Sequence, residues 1–364
     1  TESPVMKFEQ IPNIEKAWEN VSIETLSPST FSWVHDGCAY QVLLQRLLNA
    51  YPSCQLPSHR NTTIGTIVHK IYELTDKGLL RSFIEMRDKW EEAIKAEEEK
   101  LAIKYPTLKS INLNDYDKRN KAIKYALGII KNRKPQNEEP SNVLVLSEKF
   151  LDCTSIGLKG IADKLIIAKG QVSIIDYKSG HVLDEDGNVK KEYTTQLHLY
   201  AAMCEHLKLG SISKLSLVDI NGEEIPVDYN HELKDKLCND VSLTIERLND
   251  IIQHRTFEEV VKPDSSKCGN CSCRHICSSR LENEEDYYHT IVGVVTEQPS
   301  TNMYVVTDES GKARFISGLD EYFVDSPQQY LNKKLVFVNV IKSSPNSDST
   351  VCSVCESSII FEQL

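Results

Sequence analysis

Through residue 132 the apolar positions of the chain recur with a helical period, and from residue 143 they alternate. Val42, Leu43 and Leu47 predict a helix from about Cys38 to Leu48, inside an otherwise mixed stretch over 1–60. Thr62 and Thr63 stand as an N-cap before Ile64, Ile67, Val68, Ile71 and Leu74, and Gly78 ends that helix. Residues 83–104 read as a charged helix exposing Glu91, Glu92, Lys95, Glu97, Glu98, Glu99 and Lys100. Another helix spans about Asp115 to Asn132, with Lys121, Lys124 and Lys131 at helical spacing beside Arg119. A solvated face accounts for these cations, and a track for phosphates is the alternative.

The stretch from Lys134 to Pro140 is a linker, and beyond it the period shortens to two. Val143–Phe150, Ile156–Ala168 and Val172–Lys178 are predicted strands, the last two joined as a hairpin by Lys169-Gly170-Gln171. Tyr193–Leu207 is helical again, Leu215–Asp219 and Glu224–Val227 form a second hairpin, and His231–His254 is a long helix. After an acidic spacer from Glu282 to Asp286, alternation returns over Thr290–Thr296, Met303–Thr307, Ala313–Ser317, Leu335–Ile341 and Thr350–Ile360. Short strands in succession suggest an OB-like or SH3-like barrel. The pattern divides the chain into an α/β unit over 1–280, with a helical insertion at about 80–135, and a small all-β unit over 287–364.

Length and composition agree with this division. The 364 residues are 40% hydrophobic and 26% charged, ordinary values for globular domains. No apolar run reaches the roughly 18 residues of a membrane span. Thr1-Glu2-Ser3-Pro4 lacks the basic and apolar blocks of a secretory signal. A cytoplasmic chain with no membrane partner is expected. The net charge of −11 argues against a broad, nonspecific grip on nucleic acid, so any DNA contact must use a local basic patch. Of the 11 cysteines, Cys268, Cys271, Cys273 and Cys277 crowd into ten residues. Crowding of this kind points to metal or cluster ligands rather than to a disulfide framework.

The chemistry concentrates in one hairpin. Asp176 and Lys178 are two apart on a strand and project from the same face, and the turn at Lys169–Gln171 returns Asp163 beside them. Ile166, Ile167, Ile174 and Ile175 surround these charges. Paired carboxylates on an apolar sheet repel unless a cation lies between them. Mg²⁺ or Mn²⁺ suits hard oxygen ligands, polarises a phosphodiester and acidifies a water. Lys178 is placed to orient that water and offset charge on the phosphate. The alternative is a surface hairpin whose Asp163 and Lys178 are solvated or salt-bridged.

Gly160-Ile161-Ala162-Asp163, then Ile175-Asp176-Tyr177-Lys178-Ser179-Gly180, then Gln196-Leu197-His198-Leu199-Tyr200, resembles the RecB-like branch of the PD-(D/E)XK nucleases. The resemblance covers about residues 30–280. It implies a restriction-endonuclease-like mixed sheet flanked by helices and a Mg²⁺- or Mn²⁺-dependent DNA nuclease, acting in DNA repair, recombination or defence against phage. Asp163 and Asp176 would be metal ligands, Lys178 the catalytic lysine, and Gln196 and Tyr200 would face the active site from the following helix. Core packing is the competing role for Tyr200. Gly65-Thr66-Ile67-Val68-His69 matches the helix that carries a metal-binding histidine in this branch. Without the resemblance, a histidine beside an apolar stripe is more often structural. Glu73, one turn on, is placed to hold its ring. Glu148 stands where many relatives carry an acid on the strand before the hairpin.

The resemblance also interprets the cysteines. RecB-like nucleases of the AddB type join one N-terminal cysteine to a C-terminal C-x2-C-x5-C, here Cys38 with Cys268, Cys271 and Cys277, around a [4Fe–4S] cluster. Such a cluster would staple the start of the domain to its end. A four-thiolate zinc site and unliganded thiols are the alternatives, and Cys273 is surplus. Cys352 and Cys355 read as ordinary strand cysteines.

DNA, single-stranded for preference, is the expected partner, and the terminal barrel would help to hold it. Tyr304, Phe315, Tyr322 and Phe323 are its candidates for stacking bases, with core packing the competing role for at least half of them. Ser310-Gly311-Lys312 lacks the earlier glycine of a Walker loop, so a helicase or other motor would act in trans. A catalytically silent binding scaffold and a hydrolase for RNA or small molecules are the competing functions.

Overall fold

The computed structural model describes residues 9–11, 17–105, 112–132, 143–281, 288–319, 330–342, 350–355 and 357–363. The amino-terminal residues Thr1–Pro4, the linker Lys134–Pro140, the spacer Glu282–Asp286, Tyr322 and Phe323 lie outside them. After the short strand β1 (Glu9–Ile11) come helices α1 (Pro28–Asp36), α2 (Tyr40–Asn49), α3 (Arg60–Asp76), α4 (Phe83–Lys104) and α5 (Tyr116–Lys131). A mixed sheet follows: β2 (Val143–Cys153), β3 (Leu158–Ala168), β4 (Gln171–Lys178), β5 (Ser211–Asp219) and β6 (Glu224–Val227), hydrogen-bonded in that order. Helix α6 (Lys191–His206) makes the crossover between the parallel strands β4 and β5, and α7 (His231–His254) follows β6.

Each face of this sheet buries a different core. Ala162, Leu165, Val172, Ile174, Leu215 and Leu217 join α1, α6 and α7 in one cluster. Tyr177 and Val218 join α3, α4 and α5 in the other, with Ile64, Ile71, Tyr72, Trp90 and Ile123. Helices cover both faces, which gives the α/β nuclease-like architecture expected. Boundaries shift by small amounts. Helix α3 begins at Arg60 rather than after the threonines, because the His59 ring accepts from the Asn61 N–H and caps it. Helix α1 lies within the stretch read as mixed, capped by Ser27 with Pro28 in its first turn. Lys169 and Gly170 both have positive φ, 51° and 76°, as a two-residue hairpin turn requires.

The β2–β3 ladder is interrupted once. Ser147 pairs with Lys164 and Lys149 with Ala162, but the rung between them, Glu148 and Asp163, does not pair. Glu148 has φ 51°. The faces slip by one residue here, since Ala162 and Leu165, three apart, enter the same core. The β3–β4 ladder stops at the neighbouring rung, Lys164–Ile175. The sheet therefore opens at Asp163.

The second sheet holds β7 (Tyr288–Ser300), β8 (Met303–Thr307), β9 (Ala313–Ser317), β10 (Lys334–Lys342), β11 (Val351–Ser353) and β12 (Ile359–Gln363). Its order is β1-β12-β10-β11-β9-β8-β7, with β10 also paired to β7. The segment expected as one strand over Thr350–Ile360 is two. The Cys355 N–H donates to Ser358 Oγ and the Ser358 hydroxyl donates to the Asn339 carbonyl, which turns the chain so that β11 and β12 flank β10 on different stretches. Val336, Val338, Ile359 and Phe361 enter the first sheet's larger core rather than the small one. The His275 ring stacks on Phe361 at 5.1 Å, and Arg274 donates to Asn339. No helix among the described residues is long and apolar enough to cross a membrane.

Candidate active site and cysteine cluster

Helix α3 lays one apolar face, Ile64, Ile67, Val68 and Ile71, against the sheet, and this brings His69 over the open rung. His69 Nδ1 lies 3.4 Å from Asp163 Oδ1 and 3.6 Å from Glu148 Oε1. Ligand atoms of His69, Glu148 and Asp163 all fall within 4.8 Å of one another, a grouping able to hold a metal ion. The second Asp163 oxygen accepts the Tyr177 backbone N–H at 2.7 Å. Gly65 keeps the helix close, since a Cβ there would meet Ser179 Oγ at 3.1 Å.

Asp176 and Lys178 share a face, as their spacing predicts, and point toward α6. Lys178 Nζ lies 2.7 Å from Asp176 Oδ2 and donates to Gln196 Oε1 at 2.9 Å. Gln196 Nε2 donates to Asp176 Oδ1 at 3.0 Å, so the three side chains close a ring. Lys178 also stands 4.7 Å over the Tyr193 ring. Tyr193 precedes Gln196 by three residues on the same helix face, a signal present in the sequence and not used. Tyr200 donates to the Ile161 carbonyl at 2.6 Å and packs on Gly160, where a Cβ would meet its ring at 3.4 Å and Pro28 at 2.9 Å. It therefore supports the hairpin from the α6 side, beside Gln196.

Charge separates the two aspartates. Burial alone would raise Asp163, but His69 and the Tyr177 N–H hold it below the ordinary carboxylate range. Burial and the Asp163 charge push Asp176 up to about 6, against the pull of Lys178. Burial opposes a charged His69, yet Asp163 and Glu148 outweigh it and raise its pKa to about 10. Burial likewise opposes the Lys178 charge, and the Asp176 and Asp163 carboxylates raise it above the usual value. The Asp176 Oδ2 atom is buried without a well-directed hydrogen bond. Acidic groups this close suit a divalent cation. Glu73, expected to hold the His69 ring, is instead paired with Lys70 and Lys77, because its side chain points along α3 rather than across it.

Residues 25–278, more than half of the chain, match the family model of the PD-(D/E)XK nuclease superfamily. The chain belongs to this superfamily. No curated protein matches it. The PD-(D/E)XK match spans the first sheet, the helices on both its faces and the cysteine segment, and ends before β7. Members of the superfamily typically hydrolyse phosphodiester bonds and use Mg²⁺ or Mn²⁺, which agrees with the donor set around Asp163.

The cysteines of this PD-(D/E)XK chain divide into two kinds. Cys38, just ahead of α2, accepts the Lys262 N–H at 3.5 Å, so the fold carries it to the carboxy-terminal segment. Burial raises the Cys277 thiol, and Cys271, Cys38 and Cys268 raise it further through their charges. A hydrogen bond from Cys273 lowers Cys271 to about 7. Cys273 itself is fully buried, and its thiol donates to the Gln41 carbonyl at 3.7 Å. Cys352 lies buried in β11, as its sequence context suggests.

Two readings of the flanking surfaces are decided by packing. Tyr304 is buried against Tyr330, with ring centroids 6.3 Å apart, so it is core and no platform for a base. Arg119 pairs with Glu91 and Lys121 with Asp117, as on a solvated helix face.

Proposed function

We propose that this chain is a metal-dependent deoxyribonuclease of the RecB-like branch, acting on single-stranded or end-bearing DNA. The observation that carries the reading is the convergence of His69, Glu148 and Asp163 at an opened sheet rung, beside the Asp176–Lys178–Gln196 ring. His69, Asp163 and Asp176 would hold Mg²⁺ or Mn²⁺, with Glu148 as a further ligand. The bound ion would polarise the phosphodiester and acidify a water. Lys178 offers its ammonium to the phosphate and to the attacking water, and Gln196 fixes where that ammonium points. Tyr200 holds β3 in place through Ile161.

Cys38, Cys268, Cys271 and Cys277 would bind a [4Fe–4S] cluster. Backbone N–H groups of Lys262 and Cys273 point at the sulfurs of Cys38 and Cys271, a setting that favours thiolates.

Residues 287–364 are proposed as an OB-like unit packed against a nuclease unit over 1–280, sharing its larger core and taking β1 into its sheet. Pairing runs β7-β8-β9-β11-β10 and returns to β7, with β9 and β11 parallel, which supports a closed barrel. Phe315, partly exposed on β9, is its aromatic for stacking bases.

The test is cleavage of labelled single- and double-stranded DNA by anaerobically purified protein, with Mg²⁺, with Mn²⁺ and with chelator. Metal-dependent cutting is expected, reduced by about 10²-fold or more in Lys178→Ala. Cutting that persists in Lys178→Ala removes the catalytic assignment. DNA binding with no cutting under any metal would leave the silent scaffold.

A further inference from the structure

We infer that Phe150 and Ile161 form a subsite on which one nucleobase of the substrate stacks, next to the metal-binding carboxylates; this rests on the nuclease reading above. The two residues face each other directly across β2 and β3. They are 56% and 49% exposed, Phe150 on the edge strand β2 and Ile161 on the stretch of β3 beyond its ladder with β4. Both lie on the side of Glu148 and Asp163, which face His69. Gly160 and Ala162 pack inward, against Tyr200 and the large core, so Ile161 and Asp163 between and beyond them point the other way. Leu151 is likewise buried, which turns Phe150 outward.

Phe150 follows Glu148 by two residues, and Ile161 precedes Asp163 by two. Two residues span about 7 Å along a strand, the reach from a phosphate to the base it carries. Two rungs on, Lys159 and Asp152 pair at 3.4 Å and close the far side with charge. The platform is thus two side chains wide, too small for a protein interface and sized for one ring. Aromatic stacking accepts any base, because every base has a π-face. A base can lie flat on Phe150 only after leaving its partner strand. The subsite therefore selects unpaired or frayed DNA and is indifferent to sequence.

The full chain carrying Lys178→Ala is titrated with single-stranded oligonucleotides in which 2-aminopurine replaces one base at successive positions. Quenching is expected at one position, lost in Phe150→Ala together with roughly tenfold in affinity and kept in Phe150→Tyr. In the cutting-competent chain, Phe150→Ala is expected to raise KM on single strands more than it lowers kcat. Phe150 is exposed, so its replacement leaves the melting temperature in place and the comparison interpretable. Unchanged quenching and KM in Phe150→Ala, with the wild type cutting normally, overturns the subsite alone. A wild type that neither binds nor cuts DNA overturns the nuclease reading, and the subsite with it.

Discussion

The Asp163 carboxylate accepts the backbone N–H of Tyr177 at 2.7 Å. A side chain thus takes the place of a strand partner where the β3–β4 ladder has stopped, and the open rung becomes a binding site rather than a flaw. The other Asp163 oxygen is left facing His69.

Asp163→Asn separates these two duties. The amide oxygen can still accept the Tyr177 N–H, so the melting temperature should move little. The negative charge is gone, and Mn²⁺ affinity measured by calorimetry should fall by at least about tenfold. Undiminished Mn²⁺ binding would place the ion elsewhere.

Gln196→Ala breaks the ring that orients Lys178. It leaves the buried Asp176 Oδ1 without its donor, a loss of about 1–3 kcal/mol in stability. Cleavage should lose kcat more than KM, since the lysine remains present but unaimed. Equal kcat in the variant and wild type would show that Lys178 needs no such guide.

Cys38→Ser tests the staple. The sulfurs of Cys38 and Cys268 would tie off 229 intervening residues, and the chain-entropy argument for a loop that long gives about 5 kcal/mol. Loss of absorbance near about 400 nm, of bound iron and of thermal stability should appear together. Iron content equal to wild type would exclude Cys38 as a ligand.

His198 sets an acid limit on stability. Its Nε2 accepts the Asn230 N–H at 3.0 Å, so the proton sits on Nδ1 and is donated to the Thr194 carbonyl at 2.8 Å. Burial lowers its pKa below the ordinary value of about 6.5. The unfolded chain therefore takes up a proton before the folded one does. Stability is complete above about pH 6.5 and declines as pH falls toward the folded pKa. Denaturant midpoints measured from pH 7.5 to 5 should show this slope, reduced in His198→Gln. An identical slope in the variant would assign the effect to another group.

Much of the chemistry was legible before the fold. Lys169-Gly170 announces a hairpin by residue type alone, and period-two spacing puts Asp176 and Lys178 on one face. Four-residue spacing places Gln196 and Tyr200 on one face of α6. Ser27-Pro28 carries a start signal for α1 that went unused. By contrast, β1 is three residues whose parallel partner is Phe361–Gln363, and no local pattern marks a contact that distant. The turn that divides β11 from β12 depends on Asn339, a residue of another strand. Glu148 gave no sign that its rung would go unpaired, nor Tyr304 that it would be sealed under Tyr330.

By itself the sequence determined which residues could act, because backbone period and turn chemistry depend on neighbours within a few positions. Only the tertiary structure decided which of them meet: His69 with Asp163 and Glu148, Cys38 with the Lys262 backbone, Phe150 with Ile161 beside Glu148 and Asp163. Those meetings follow from strand register and helix docking. Burial of the apolar faces sets both, across separations that no local periodicity encodes.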